Sequence, residues 1–126
     1  MFSDVWKWAG KYRKTPRNIG IDAYLIPIEL NALISDVNFW MENQTYSMRE
    51  IAVRLHHKLV FIHPFPNGNG RWGRLVTDVF LKSMDMKSFS WGEGLGSSNA
   101  RRKAYVSALR AADQHDMEPL LKFVSG

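Results

Sequence analysis

Cysteine is absent from the 126 residues of the chain. This excludes disulfide bridges, thiolate metal sites and cysteine nucleophiles, and it is compatible with a reducing compartment. The chain also lacks a run of about 18 apolar residues, which a membrane-spanning helix needs. Asp4 and Lys7 stand where the apolar core of a secretion signal would lie. We therefore expect a cytoplasmic protein that does not enter a membrane.

Internal repeats and low-complexity linkers are also absent from the sequence. Hydrophobic residues make up 45% of the chain and charged residues 23%, a balance that is typical of a compact domain and not of a disordered chain. A chain of this length can form one hydrophobic core. We therefore assign residues 1–126 to one domain.

The net charge is positive, since 17 lysines and arginines and 12 acidic residues give +5. Basic residues are concentrated in residues 7–17 and again in residues 101–103. Nucleic acid, an acidic protein or a nucleotide would each suit such patches, and so would an ordinary solvated surface. Charge alone does not choose among these interpretations.

Apolar residues recur at intervals of three and four and predict an all-α fold. The first helix is predicted over residues 27–43, where Leu30 and Leu33 belong to one buried face. A second helix opens at residues 47–50 with the S-x-x-E form of a capping box, and it ends before Pro64.

The second half of the chain continues the helical pattern. A third helix is predicted over residues 69–83, and glycines then interrupt the pattern over residues 92–96. Ser98 or Asn99 can cap a fourth helix, and a short last helix is expected after Asp116.

Helical periodicity is missing at residues 13–21, which contain a proline and a glycine. This stretch predicts an exposed loop or a short β-hairpin. The expected architecture is therefore all-α with one irregular flap.

The residues suited to chemistry are concentrated between the second and third helices, in the run His63-Pro64-Phe65-Pro66-Asn67-Gly68-Asn69-Gly70-Arg71-Trp72-Gly73-Arg74. Gly68 and Gly70 allow the backbone to direct several amides toward one anion, and the N-terminus of the third helix adds about half a positive charge. Arg71 and Arg74 are three residues apart and so lie on one side of the helix, where their guanidinium groups match phosphate oxygens. The segment predicts a polyphosphate ligand.

Three other residues of this run suit catalysis. His63 has a side chain whose ordinary pKa of about 6.5 allows it to take a proton from an attacking hydroxyl. Phe65, between two prolines, would anchor the loop in the core, and Asn67 offers a divalent cation an oxygen that is weaker than a carboxylate. Each feature alone also has a structural explanation, but their combination within twelve residues favours a functional site.

Residues 63–74 resemble the signature of the Fic family, His-x-Phe-x-(Asp/Glu)-Gly-Asn-Gly-Arg-x-x-Arg, at every defined position except Asn67. Residues 8–13 resemble the segment that leads into the family's flap. Residues 105–116 are similar to its C-terminal motif Tyr-x-x-x-Leu-x-x-Ala-(Asn/Asp)-x-x-Asp. The resemblance covers almost the whole chain and implies a compact Fic-type helical domain.

A finer resemblance concerns one group within this family. The Pro66-Asn67 variant of the signature is most similar to the Fic-related group called mobile mystery protein B, and so are the segments 45–46 and 60–62. We therefore expect the chain to be related to that group.

The resemblance implies a protein adenylyltransferase, which uses Mg²⁺ and transfers AMP from ATP to a hydroxyl of a target protein with loss of pyrophosphate. By family analogy His63 is the general base, Phe65 the structural anchor and Asn67 the residue at the metal position. Arg74 would hold the γ-phosphate. The residues that would hold the α- and β-phosphates are Gly68, Asn69, Gly70 and Arg71.

Two further regions are assigned by the same analogy. Tyr105 and Asp113 correspond to positions that line the nucleoside pocket in relatives. The flap would pair its main chain with an extended segment of the target protein. The flap residues assigned to this docking are Lys14, Thr15, Arg17, Asn18, Ile19 and Gly20.

Asn67 departs from the family pattern, since it removes a negative charge from the cation site and should weaken Mg²⁺ binding. Death-on-curing toxins, relatives that transfer phosphate, also tolerate asparagine there, but they carry a lysine where this chain has Gly70. Gly70 therefore favours AMP transfer. A phosphotransferase or a catalytically weak nucleotide-binding module is the alternative, and nucleic-acid binding rests on charge alone.

A self-inhibiting motif of the form (Ser/Thr)-x-x-x-Glu-(Gly/Asn), which many relatives carry, is not found in the sequence. Relatives usually have another helix before the segment that begins near Trp6. Three explanations stay open: an antitoxin-like partner supplies the inhibitor in trans, an N-terminal helix is missing from this chain, or the protein is not inhibited.

Overall fold

The computed structural model describes residues 23–62 and 69–125, and within these ranges the regular structure is helical. The predicted all-α fold is confirmed, whereas the predicted flap at residues 13–21 lies outside the described residues. The helices are α1 (Ile26–Glu42), α2 (Met48–Ile62), α3 (Asn69–Ser83), α4 (Ser98–Asp113) and α5 (Glu118–Ser125). Short 3₁₀ turns at Ala23–Leu25 and Glu93–Leu95 precede α1 and α4.

The bounds of α1, α2 and α3 agree with those predicted from the apolar spacing. Pro27 lies in the first turn of α1, where its missing N–H costs no hydrogen bond. One face of α1 and one face of α2 are buried together in the core. The buried residues of these two faces include Ile26, Leu30, Leu33 and Val37 of α1 and Ile51, Leu55, Leu59 and Ile62 of α2.

The structure shows the serine half of the capping box that the sequence predicts at the first turn of α2. The N–H of Glu50 donates to the hydroxyl oxygen of Ser47 at 3.1 Å. The carboxylate of Glu50 pairs with Nε of Arg54 at 2.9 Å, and the Arg54 guanidinium lies 4.0 Å from the centroid of the Tyr46 ring. The start of α2 is therefore stabilised by a cap and by a stacked ion pair.

The cap of α4 differs from the prediction of Ser98 or Asn99. Ser97 is the N-cap, and its hydroxyl oxygen accepts the N–H of Ala100 at 3.1 Å. Ser97 has the extended backbone that an N-cap requires, with φ −83° and ψ 152°, whereas Ser98 is already helical. All three residues can cap a helix, so the backbone and not the residue type decides between them.

Close packing brings α2 and α3 together beside the candidate site. At Gly73 of α3, an added Cβ would lie 3.3 Å from the His56 ring and 3.3 Å from Cγ2 of Val60, both on α2. The absence of a side chain at residue 73 therefore allows this close approach. Elsewhere α1 packs on α2, and α5 packs on α4. No helix of the described part of the chain has the length and apolar character to cross a membrane.

Candidate functional site

Part of the predicted site falls within the described residues. Asn69 and Gly70 form the first turn of α3, followed on the same helix by Arg71 and Arg74. The other predicted site residues lie outside the described residues and stay predictions. They are His63, Phe65, Asn67 and Gly68 of the signature, and Lys14, Thr15, Arg17, Asn18, Ile19 and Gly20 of the flap.

Arg71 and Arg74 differ in burial although they share one side of α3. Arg71 is exposed, whereas Arg74 is half-buried. The guanidinium carbon of Arg74 lies 5.1 Å from the centroid of the Tyr105 ring and 6.0 Å from that of Trp91. These distances are those of cation–π contacts. Arg74 is thus held between residues of α4 and of the segment before it, while Arg71 extends into solvent.

An acidic residue lies behind Arg74. The indole Nε1–H of Trp91 donates to Oδ1 of Asp78 at 3.1 Å. Burial raises the pKa of Asp78, and the Trp91 hydrogen bond and the positive charge of Arg74 lower it. Asp78 therefore helps to fix Trp91 against Arg74.

Below Arg74, a buried polar cluster joins α2, α3 and α4. His56 is 0% exposed, its Nε2 lies 2.8 Å from the hydroxyl oxygen of Tyr105, and its Nδ1 lies 3.4 Å from Oγ1 of Thr77. The Thr77 hydroxyl donates to the carbonyl oxygen of Gly73 at 2.8 Å. Each buried polar side chain of this cluster thus has a hydrogen-bond partner, as low-dielectric surroundings require.

Both titratable members of the cluster are neutral at pH 7. Burial lowers the pKa of His56 to about 4; a hydrogen bond to the Gly73 backbone opposes this effect, and the charges of Arg74 and His57 add to it. Burial also raises the pKa of Tyr105, with Arg74 acting in the opposite direction through its charge and a hydrogen bond. Tyr105 therefore keeps its hydroxyl proton and His56 lacks a charge.

Tyr105 and Asp113, both predicted to line the nucleoside pocket, occupy different places. They are eight residues apart on α4, or about 12 Å along the helix axis. The Tyr105 ring packs against His56 and Arg74, whereas Oδ1 of Asp113 lies 2.7 Å from Nε2 of His57. The adjacent His56 and His57 thus have separate partners.

Asp113 borders a cavity of about 270 Å³ that is lined by residues from α1, α2 and the end of α4. The lining combines apolar and charged side chains, and Tyr105 is not part of it. The apolar residues are Leu33, Trp40, Phe61, Ala112 and Met117, and the charged or ionisable ones are Asp36, Arg54, His57, Lys58, Asp113 and His115.

The sequence analysis did not assign His56, Thr77, Asp78 or Trp91 to the site. Local sequence patterns carry no signal for their cluster, because its members come from two helices and a loop. As for metals, the described residues contain no group of three or more histidine or acidic side chains that could hold an ion.

The chain is similar to one protein family and to curated relatives. Residues 1–81 match the family model described as Fic/DOC family. The chain is 29% identical over 119 residues to "Protein adenylyltransferase Fic" of Culex quinquefasciatus, covering 92% of this chain and 23% of that protein. It is 30% identical over 123 residues to the protein of the same name from Nematostella vectensis, and this match covers 93% of this chain and 27% of that protein. The chain thus spans about a quarter of the length of these curated relatives.

A solved structure shares the fold. Fic-1 from C. elegans superposes with a TM-score of 0.71 at 21% sequence identity, and the match covers 99% of this chain and 39% of the other. At this identity the similarity concerns the fold alone.

Proposed function

Because the chain belongs to the Fic/DOC family, we propose that it is a protein adenylyltransferase, which transfers AMP from ATP to a hydroxyl side chain of a target protein. The observation that carries this proposal is the packing of Arg74. Its guanidinium is held against the Trp91 and Tyr105 rings, and Arg74 belongs to the second turn of the 15-residue helix α3, whose N-terminal dipole and backbone amides favour phosphate. Similarity to proteins named adenylyltransferases supports the choice of reaction.

In the proposed reaction, the hydroxyl oxygen of the target attacks the α-phosphorus of ATP. A new phosphorus–oxygen bond forms while the bond from the α-phosphorus to the oxygen bridging the β-phosphate breaks, and pyrophosphate leaves. His63 takes the proton of the attacking hydroxyl. The protein mainly has to position the reactants and neutralise their charge.

The phosphate chain binds along the start of α3. The α- and β-phosphates contact the segment from Gly68 to Arg71, and the γ-phosphate contacts Arg74. The side-chain oxygen of Asn67 is a ligand that Mg²⁺ accepts, although it lacks the charge of a carboxylate. When bound, Mg²⁺ would neutralise negative charge on the phosphates.

The nucleoside binds next to Asp113. The cavity that this residue borders offers apolar walls for a base and polar groups for its edges. The hydroxyl of Tyr105 has His56 as its partner, so we assign Tyr105 a role that acts through Arg74 rather than through the nucleoside. Phe65 anchors the signature loop.

The target protein docks on the flap at residues 14–20 by main-chain pairing. We further propose that the chain is a cytoplasmic member of the mobile mystery protein B group, on the basis of the Pro66-Asn67 variant. The further partner that we propose is an antitoxin-like inhibitor acting in trans, and the alternatives are inhibition by a preceding helix and the absence of inhibition.

Labelled ATP tests the proposed reaction. Purified protein with Mg²⁺ and a cell lysate should transfer label from α-labelled ATP and not from γ-labelled ATP. His63→Ala should abolish this transfer, whereas a variant of an exposed residue of α1 outside the cavity, Asn31→Ala, should not. Intact-mass spectrometry should show the addition of one AMP to a target or to the protein itself.

Two outcomes would overturn the proposal. Transfer of label from the γ-phosphate would identify a phosphotransferase. Binding of ATP that depends on Arg74, without transfer in any lysate or at any Mg²⁺ concentration, would identify a nucleotide-binding module, which is the outcome that Asn67 favours.

A further inference from the structure

His56 is a fully buried histidine that the proposed transfer reaction does not use. Its Nε2 lies 2.8 Å from the hydroxyl oxygen of Tyr105. Tyr105 in turn contacts Arg74, since its ring centroid lies 5.1 Å from the guanidinium carbon. A continuous path of contacts therefore joins the interior of α2 to the second arginine of the signature.

The direction of the hydrogen bond between His56 and Tyr105 follows from the protonation of its end groups. Burial raises the pKa of Tyr105, so the hydroxyl keeps its proton. The Tyr105 O–H then donates to Nε2 of His56, which must be the ring nitrogen without a proton. His56 therefore carries its single proton on Nδ1, where the Gly73 carbonyl and the Thr77 hydroxyl oxygen can accept it.

We infer that His56 and Tyr105 are positioning residues for Arg74. The imidazole fixes the Tyr105 ring through its hydroxyl, and the ring then holds the guanidinium by a cation–π contact. The guanidinium held in this way binds the terminal phosphate of a nucleoside triphosphate. This inference rests on the proposed function for one point only, the assignment of that phosphate to Arg74.

The surroundings of the path are rigid enough for this role. The His56 ring is confined by Gly73 on one side, and on another side by the Trp91 ring, whose centroid lies 4.6 Å away. The loop that carries Trp91 is tied to α5, because both the N–H and the hydroxyl of Ser90 donate to the carbonyl oxygen of Val124, at 2.9 and 3.0 Å. His56 therefore cannot move without disturbing several elements.

The Tyr105 hydroxyl is the link that can be removed with the least damage. Tyr105→Phe keeps a ring against Arg74 and Phe123 but removes the hydroxyl that ties this ring to His56. Arg74 then samples more orientations, and the affinity for a triphosphate falls. A diphosphate does not reach Arg74, so its affinity does not change.

The experiment compares Tyr105→Phe with Tyr46→Phe by calorimetry, using α,β-methylene-ATP and ADP as probes. Tyr46 is a matched control, because an arginine also lies over its ring. For the unsubstituted protein we expect tighter binding of α,β-methylene-ATP than of ADP. Tyr105→Phe should reduce this preference by about fivefold or more, while Tyr46→Phe leaves it unchanged.

A double-mutant cycle separates positioning from a general effect on the fold. If the hydroxyl acts through Arg74, Tyr105→Phe should have no effect on α,β-methylene-ATP affinity once Arg74→Ala is present. An equal loss in both backgrounds would overturn the inference, because the hydroxyl would then act independently of Arg74. His56→Gln, which changes the partner of Tyr105 instead, should reduce the same preference.

Failure of this inference can be distinguished from failure of the proposed function. Both probes bind without being transferred, so the binding preference can be measured in a protein with no transferase activity. Equal affinity of the unsubstituted protein for the two probes, or an unchanged preference in Tyr105→Phe, would overturn the positioning role. Neither result would affect a transfer of AMP seen with α-labelled ATP.

Discussion

Nε2 of His56 lies 2.8 Å from the hydroxyl oxygen of Tyr105, although the two residues are 49 positions apart in the chain. The contact ties the interior of α2 to α4 directly below Arg74. A buried hydrogen bond of this kind is costly to break from one side, because the remaining group loses its partner without gaining water.

Acidification should destabilise the fold through His56. Its pKa is about 4 in the folded protein and about 6.5 in the unfolded chain, so between these values the unfolded chain binds more protons. The contribution of His56 to the free energy of unfolding is therefore constant above about pH 7, and it falls by about 3 kcal/mol as the pH decreases to 4. Urea unfolding at a series of pH values measures it.

A comparison of variants assigns this pH dependence. His56→Gln does not titrate and should have a flatter profile, whereas His115→Asn, an exposed control at a positive φ that asparagine tolerates, should keep the original one. Asp78 acts in the opposite direction because burial raises its pKa. A profile unchanged in His56→Gln would show that other groups control the acid sensitivity.

Gly73→Ala should destabilise the protein although alanine favours helices. The new Cβ would lie 3.3 Å from both the His56 ring and Val60, and the ring cannot retreat without stretching its bond to Tyr105. Overpacking of about 1–3 kcal/mol should exceed the gain of about 1 kcal/mol in helix propensity. Thermal and urea unfolding measure the balance, and a net stabilisation would show that His56 can shift.

Gly92→Ala should destabilise the loop that carries Trp91. Gly92 has φ +75°, and a Cβ there would lie 2.5 Å from Cε1 of Phe123. Backbone strain and the clash together should cost about 3 kcal/mol of unfolding free energy. In a Phe123→Leu background the clashing ring atoms are gone, so the cost should fall to the backbone strain alone. Equal costs in the two backgrounds would contradict the clash.

Ser97→Ala should remove the cap of α4 and lower the free energy of unfolding by about 1 kcal/mol. Ser98→Ala is the matched control, because Ser98 is exposed and already helical, and it should change stability by less than about 0.5 kcal/mol. Chemical unfolding of the two variants under identical conditions makes the comparison. The reverse order of effects would place the cap one residue later.

Asp113→Asn should affect nucleotide choice more than stability. The Asp113 carboxylate, 43% exposed, pairs with His57, and such a pair contributes about 1 kcal/mol or less. If the nucleoside binds next to Asp113, the ratio of ADP to GDP affinity should change severalfold. Asp85→Asn serves as an exposed control. An unchanged ratio would remove Asp113 from the nucleoside pocket.

Much of the fold could be predicted because its signals are local. The spacing of Leu30, Leu33 and Val37 and the Ser47 capping motif predicted helices whose bounds the structure confirms. The predicted N-cap of α4, Ser98 or Asn99, was wrong because Ser97 is the cap. These adjacent residues have similar side-chain chemistry, and the backbone conformation that distinguishes them cannot be read from the sequence.

The site could be predicted only in part. Arg71 and Arg74 were placed together on α3 by their spacing, but spacing cannot show that one would be exposed and the other held between aromatic rings. That difference depends on Trp91 and Tyr105, which reach α3 from distant parts of the chain. Contacts of this kind depend on tertiary packing, which a single sequence does not display.

The tie between Ser90 and Val124 has a practical consequence for anyone who modifies the protein. Changes to the last helix would loosen the loop of Trp91 and so reach the arginine through its aromatic neighbour. An affinity tag or a fluorophore attached directly after Val124 could thus weaken nucleotide binding without touching the signature. Attachment at an exposed residue of α1, such as Asn31, avoids this coupling.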